Sequence, residues 1–136
     1  MKQVLVPLSG NSVDSKLIEI ACNVARRHKA GVHLIHVIKV ARSLPLDAEL
    51  EPELNRGKEI INRLEKVVED EDLEVESDII QAREVGPAVV GVAHEKNSDL
   101  IVVGLNHRKQ LGEFSLGEVV SYILKNSPCP VMVYRR

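Results

Sequence analysis

Two hydrophobic rhythms alternate along this chain. Residues 3–8 form a short continuous apolar run that stops at Ser9-Gly10-Asn11-Ser12, the pattern of a buried strand followed by a turn. From Val13 the rhythm changes. Val13, Leu17, Ile20, Ala21, Val24 and Ala25 recur at helical spacing, and Asp14, Glu19, Asn23, Arg26 and Arg27 take the remaining surface. Asn11 or Ser12 is placed to cap this helix, and Arg26, Arg27 and Lys29 suit its negative end. Residues 32–37 read as a second strand and 49–70 as a second helix, with Leu50, Leu54, Ile61, Leu64 and Val68 inward. Gly57 is expected to weaken the middle of that helix by about 1 kcal/mol relative to Ala. Residues 74–82 predict a third strand, and Gly86-Pro87 opens a third helix with Pro87 near its first position. A fourth strand at 99–104, a fourth helix at 117–126 and a last strand at 131–134 complete the series.

Five apolar strands alternating with four amphipathic helices predict an α/β fold, a doubly wound five-stranded parallel sheet with helices on both faces. Right-handed crossovers leave few windings. The order 3-2-1-4-5, a flavodoxin-like topology, puts the chain reversal between strands 1 and 4. Ligands of such sheets bind beyond the carboxyl ends of the strands at that reversal, which directs attention to residues 9–11 and 104–118. There is no internal repeat or low-complexity linker, and 136 residues suit one domain across 1–136 with a core that needs no staple.

Composition narrows the function. Aromatic residues make up 2% of the chain, so the core is aliphatic and there is almost no platform on which bases of single-stranded nucleic acid could stack. A net charge of -2 argues against a dominant attraction to nucleic acid or an anionic membrane. No apolar run reaches the ~20 residues that span a bilayer. Cys22 and Cys129 lie far apart and read as reduced, packed thiols of a cytoplasmic protein.

Candidate chemistry concentrates in the segment from Gly104 to Gly117, which carries three glycines, His107, Arg108, Lys109 and Ser115. Glycine permits close backbone approach, a helix start attracts anions and the basic pair adds charge, so the segment suits a phosphate; a solvated connection with glycines in its turns is the plainer reading. Other constellations are weaker. His33 and His36, three apart on a strand, point to opposite faces and do not share a metal; a hydrogen bond to backbone is their simplest role. His94 and Glu95 have no further ligand at useful spacing, and no metal is expected. Asp99 is expected to cap the beginning of the fourth strand. The acidic run 69–72 reads as a solvated helix end, and Ser115 lacks the surroundings of a hydrolase nucleophile.

Several blocks resemble one family. Asp99-Leu-Ile-Val-Val-Gly104, Leu116-Gly117-Glu-Val-Val and Ser127-Pro-Cys-Pro-Val-Met-Val133 are similar to the C-terminal half of a universal stress protein domain, and Val4-Leu-Val-Pro7 and Val85-Gly-Pro87 match its earlier parts. The resemblance implies a doubly wound five-stranded sheet of the adenine-nucleotide-hydrolase-like type, homodimers and, in one branch, ATP at the reversal. Carried onto this chain, the nucleotide-binding residues would be Pro7, Ser9, Val37, Gly104, His107, Arg108, Gly117, Glu118 and Val119.

The ATP-binding branch carries G-x2-G-x9-G-[ST] after strand 4 and an Asp near the end of strand 1. Gly104 and Gly117 match the first and third glycines, but His107 replaces the second, Glu118 the Ser/Thr and Ser9 the Asp. A side chain then stands where backbone should approach phosphate, a carboxylate stands at the helix start, and a hydroxyl replaces the ribose-binding carboxylate. The expectation is a regulatory stress-response module, not an enzyme, that acts through a homodimer formed by residues 131–134 and through an unidentified protein partner, with weak or absent ATP binding. Alternatives are an ATP-binding stress protein using the crevice between strands 1 and 4, and an ATP-dependent enzyme of the pyrophosphatase-loop type suggested by residues 9–15. A receiver domain would need an acidic cluster, and a flavodoxin would need aromatics for its flavin.

Overall fold

The computed structural model describes residues 1–105 and 117–135. Its elements run β1 (Gln3–Pro7), α1 (Val13–His28), β2 (Gly31–Lys39), α2 (Glu51–Asp70), β3 (Val75–Ala82), α3 (Val85–Glu95), β4 (Leu100–Leu105), α4 (Gly117–Asn126) and β5 (Val131–Arg135). All strand pairings are parallel, in the order β3-β2-β1-β4-β5. The doubly wound sheet read from the apolar runs is therefore the fold.

The two faces of the sheet build two aliphatic cores. Val4, Val6, Val32, Leu34 and Val102 point to one side, where Leu17, Ile18, Ala21 and Ala25 of α1 and Ile61, Leu64 and Val68 of α2 cover them. Leu5, Ile35, Ile101 and Val103 point to the other, against Val89 and Ala93 of α3 and Val120 and Ile123 of α4. Parallel strands buried on both faces have no polar side, which is why they appear in the sequence as unbroken apolar runs.

Three local expectations are corrected. Asp14 does not lie on the exposed side of α1; it is fully buried, for a reason that belongs to the site below. Pro87 is the third residue of α3, since the helix begins at Val85. Gly57 is not merely a weak point of α2. A Cβ there would stand 2.9 Å from His36 Cδ2 and 3.4 Å from Ile79 Cδ1, so the missing side chain is what lets the helix lie close to the sheet.

Asp99, expected to cap the start of β4, caps the start of the neighbouring β1 instead. Its Oδ2 accepts hydrogen bonds from the backbone N–H groups of Lys2 (2.6 Å) and Gln3 (3.0 Å), tying the start of β1 to the start of β4. Those two donors, Lys2 first, hold its carboxyl below the usual carboxylate range. Cys22 is buried in the α1 core, and burial pushes its thiol pKa up, as for an inert packed thiol.

Candidate functional site

The reversal in strand order opens a cleft because β1 and β4 part company. Their ladder runs through Val4↔Leu100 and Leu5↔Ile101. Peptide directions alternate along a strand, and Leu8 N–H donates to Ile35 O on β2 (2.8 Å). The nitrogen of Pro7 therefore faces β4, where it has no hydrogen to give. Beyond this point β1 turns into α1 on one face, β4 leads toward α4 on the other, and a cleft of about 430 Å³ lies between them. That volume falls in the range of small-molecule sites.

Seven of the nine sequence-predicted site residues, Pro7, Ser9, Val37, Gly104, Gly117, Glu118 and Val119, line this cleft. The other two, His107 and Arg108, lie outside the described residues, as do Lys109 and Ser115. Val37, Val85, Leu105 and Val119 make an apolar slot, and Ser9, Asn11 and Glu118 supply polar groups at its edges. Gly104 has a structural reason of its own. A Cβ at this position would overlap Val13 Cγ1 and come within 3.1 Å of Leu17 Cδ1, so its bareness is required by α1 whatever the cleft holds. Gly117 is different: its φ is +73°, a conformation that favours glycine, and among the described residues no atom lies within 4 Å of where its Cβ would stand.

Asp14 was missed by sequence reasoning and organises the rim. Its Oδ1 accepts from Ser9 N–H (3.1 Å) and from the Ser9 hydroxyl (3.3 Å), and its Oδ2 accepts from Gly10 N–H (2.7 Å). Gly10, at φ +90°, makes the turn that aims both amides at the carboxylate. Asn11 Oδ1 accepts from Val13 N–H (2.9 Å), so Asn11 caps the start of α1. The loop amides that could otherwise have cradled a phosphate are thus committed to the protein's own carboxylate. His36 closes the floor: its Nδ1–H donates to Leu8 O (2.9 Å), fixing the chain just before Ser9.

The remaining polar cluster lies elsewhere. His33, fully buried, and His36 do point to opposite faces, but the partner of His33 is a side chain, Asp78 Oδ2 at 2.7 Å. His33 Nε2 and carboxylate oxygens of Glu76 and Asp78 lie within 4.8 Å of one another. A carboxylate only accepts, so the ring proton sits on Nε2. For a cation to take Nε2, that proton would have to move to Nδ1, which is buried without a partner; an orphaned donor there costs about 1–3 kcal/mol. Glu76 is also engaged by Lys96 Nζ (3.0 Å) and Gln3 Nε2 (3.2 Å), and Lys96 first, then Gln3, hold its carboxyl below the usual range. As it stands the cluster is a hydrogen-bond network of His33, Asp78, Glu76, Lys96 and Gln3.

A doubly wound α/β sheet with an apolar, polar-rimmed cleft at its strand reversal defines the class of open α/β folds that take their ligands beyond the carboxyl ends of the strands. The profile of the universal stress protein family matches residues 1–135, and the chain belongs to that family. It is 28% identical, over 99% of its own length and 82% of the relative's, to universal stress protein MJ0531 of Methanocaldococcus jannaschii. Two solved structures share the fold. The universal stress protein from Archaeoglobus fulgidus in complex with dAMP has a TM-score of 0.78 and 17% identity, with 98% of this chain and 97% of that one covered. A universal stress protein family protein from Arabidopsis thaliana with AMP bound has a TM-score of 0.72 and 16% identity, with coverages of 100% and 92%. Among the described residues no helix is long and apolar enough to cross a membrane.

Proposed function

We propose that this protein is a regulatory stress-response module that holds adenosine monophosphate, or a close relative, in the cleft between β1 and β4, gains nothing from a triphosphate, and works as a homodimer through partner contacts and not by turnover. One observation carries the nucleotide part: the cleft brings the apolar side chains of Val37, Val85 and Val119 together with Ser9, which the buried Asp14 backs, and with the exposed Glu118 at the first turn of α4. A flat, uncharged base suits the slot. A polyphosphate at the α4 end meets Glu118, which already complements the positive end of that helix. The bound dAMP and AMP of the two structural neighbours support the choice of an adenine nucleotide.

The dimer rests on the sheet edge. β5 is an outer strand, Met132 on it is exposed, and Tyr122 and Leu124 of α4 add further exposed apolar surface. An apolar edge strand invites pairing with a second copy, and antiparallel pairing of residues 131–134 about a two-fold axis would satisfy it.

Native mass spectrometry at micromolar protein with AMP or ATP at equal concentration reads both parts at once. The expected spectrum is a dimer in which ATP occupancy is no higher than AMP occupancy. A monomer throughout contradicts the assembly, and ATP binding about tenfold tighter, a difference of about 1.4 kcal/mol, contradicts the nucleotide assignment.

A further inference from the structure

His33 is fully buried, and by the alternation of β2 it shares the face of the sheet that carries Ile35. Its partners come from the neighbouring strand. His33 is in register with Glu76 on β3, and Asp78, two residues further along, projects to the same side. Two adjacent strands thus present an imidazole and two carboxylates on one face, with His33 Nε2 and one oxygen from each acid within 4.8 Å of one another. Positive charge is short here. Among the described residues Lys96 is the one lysine or arginine paired with either acid, its Nζ 3.0 Å from Glu76 Oε2, and Asp78 has only the Nε2–H of His33 at 2.7 Å.

The imidazole is less firmly set than its burial implies. Among the described residues Nδ1 has no partner. With the ring proton on Nε2 it is an unsatisfied acceptor, and with the proton on Nδ1 it is an unsatisfied donor. Either tautomer leaves one orphan in the interior, so freeing Nε2 exchanges one cost for a similar one. What holds the present tautomer is the Asp78 carboxylate, itself a group that binds cations. The side chains of Asp78 and Glu76 are 48% and 43% exposed, and β3 is an outer strand, so a hydrated ion has a path to the cluster. Tetrahedral Zn²⁺ with bonds of about 2.1 Å sets its ligands about 3.4 Å apart, a spacing the two half-exposed carboxylates reach by side-chain rotation while His33 stays on its strand.

We infer that His33, Glu76 and Asp78 form a site for a divalent transition metal of the zinc type, toward the opposite end of β2 from the cleft and independent of it. An imidazole with two carboxylates suits Zn²⁺, whereas Mg²⁺ favours an all-oxygen shell. The metal takes the Nε2 lone pair and the ring proton passes to Nδ1, so none is lost. Lys96 gives up Glu76 Oε2 and turns to solvent, while Gln3 Nε2, 3.2 Å from Glu76 Oε1, keeps that oxygen and orients the carboxylate. A ligating histidine ordinarily donates its other N–H to an acceptor, and lacking one costs about 10–100-fold, so the affinity is micromolar.

Calorimetric titration with Zn²⁺ and with Mg²⁺ tests it, in the wild type and in Glu76→Gln, Asp78→Asn and Lys96→Met variants checked for native circular dichroism. These substitutions fall on half-exposed side chains and leave the buried His33 in place. Wild type should bind Zn²⁺ at micromolar concentration and Mg²⁺ about 100-fold more weakly. Glu76→Gln and Asp78→Asn should each weaken Zn²⁺ by about tenfold or more. Lys96→Met should tighten it about threefold by removing the competitor for Glu76; no gain would overturn that competition. Long-range ¹H–¹⁵N spectra of the His33 ring locate the ion, since Nε2 should lose its proton and Nδ1 gain it. Zn²⁺ binding weaker than about 100 μM in the wild type would overturn the site. Binding that Glu76→Gln and Asp78→Asn leave unchanged, or a His33 ring unmoved at saturation, would place the metal on other histidines or thiols and overturn it equally.

Discussion

Gly104→Ala should lower the stability of the folded chain by about 3 kcal/mol, the upper end of what overpacking a core costs, and the melting temperature by about 10 °C. A Cβ at position 104 would overlap Val13 Cγ1 and crowd both Leu17 methyls, at 3.1 and 3.3 Å. Val13 and Leu17 are themselves 2% exposed, so neither has solvent into which to retreat. Relief would require α1 to lift from β4 near the point where it also forms the cleft. Urea or thermal unfolding of the variant is the check. A loss under about 1 kcal/mol would mean that α1 shifts freely over the sheet and that the cleft wall it forms yields easily. The test bears on function as well: a glycine expected from family resemblance to admit a phosphate is required, in this chain, by helix packing.

Asp14→Ala is expected to cost about 2–3 kcal/mol, although the residue appears in the sequence as one of many surface acids. The substitution leaves the amides of Ser9 and Gly10 without their acceptor. Water reaches Ser9, which is exposed, and this limits the loss; it does not replace the carboxylate in the closed space behind the loop. Denaturant titration measures the cost. Ordinary surface substitutions fall within about 0.5 kcal/mol, so a change of that size would mean the loop holds its shape without the carboxylate.

The fold was legible because its two periodicities are unambiguous. Continuous runs such as Val4-Leu-Val and Leu100-Ile-Val-Val fit strands covered on both faces, and α1 and α2 keep an apolar stripe over several turns. Strand order pointed to residues 9–11 and 104–118, and Ser9, Gly104, Gly117 and Glu118 do meet at the cleft; Pro7, Val37 and Val119 were implied only by the family resemblance. What was not legible is what depends on the third dimension. Helical spacing assigns Asp14 to the solvent side, and nothing periodic reveals that the loop before it folds back. The available signal was an accounting one: Ser9 and Gly10 leave the sheet with amides that need an acceptor, and Asp14 is the nearest acid. The pairing of His33 with Asp78 spans 45 residues and depends on the β2–β3 register. The value of the bare Gly57 against His36 likewise emerges only once α2 is laid on β2.

The central claim is that the cleft between β1 and β4 is where an adenosine monophosphate sits, and amide chemical-shift mapping with AMP tests it most directly. The account predicts that the resonances of Ser9, Val37, Val85 and Val119 move together and saturably, while those of Lys29, Gly31 and Leu73, which line a hollow elsewhere on the molecule, stay in place. Shifts centred on that other hollow, or none in the cleft at millimolar AMP, would contradict it.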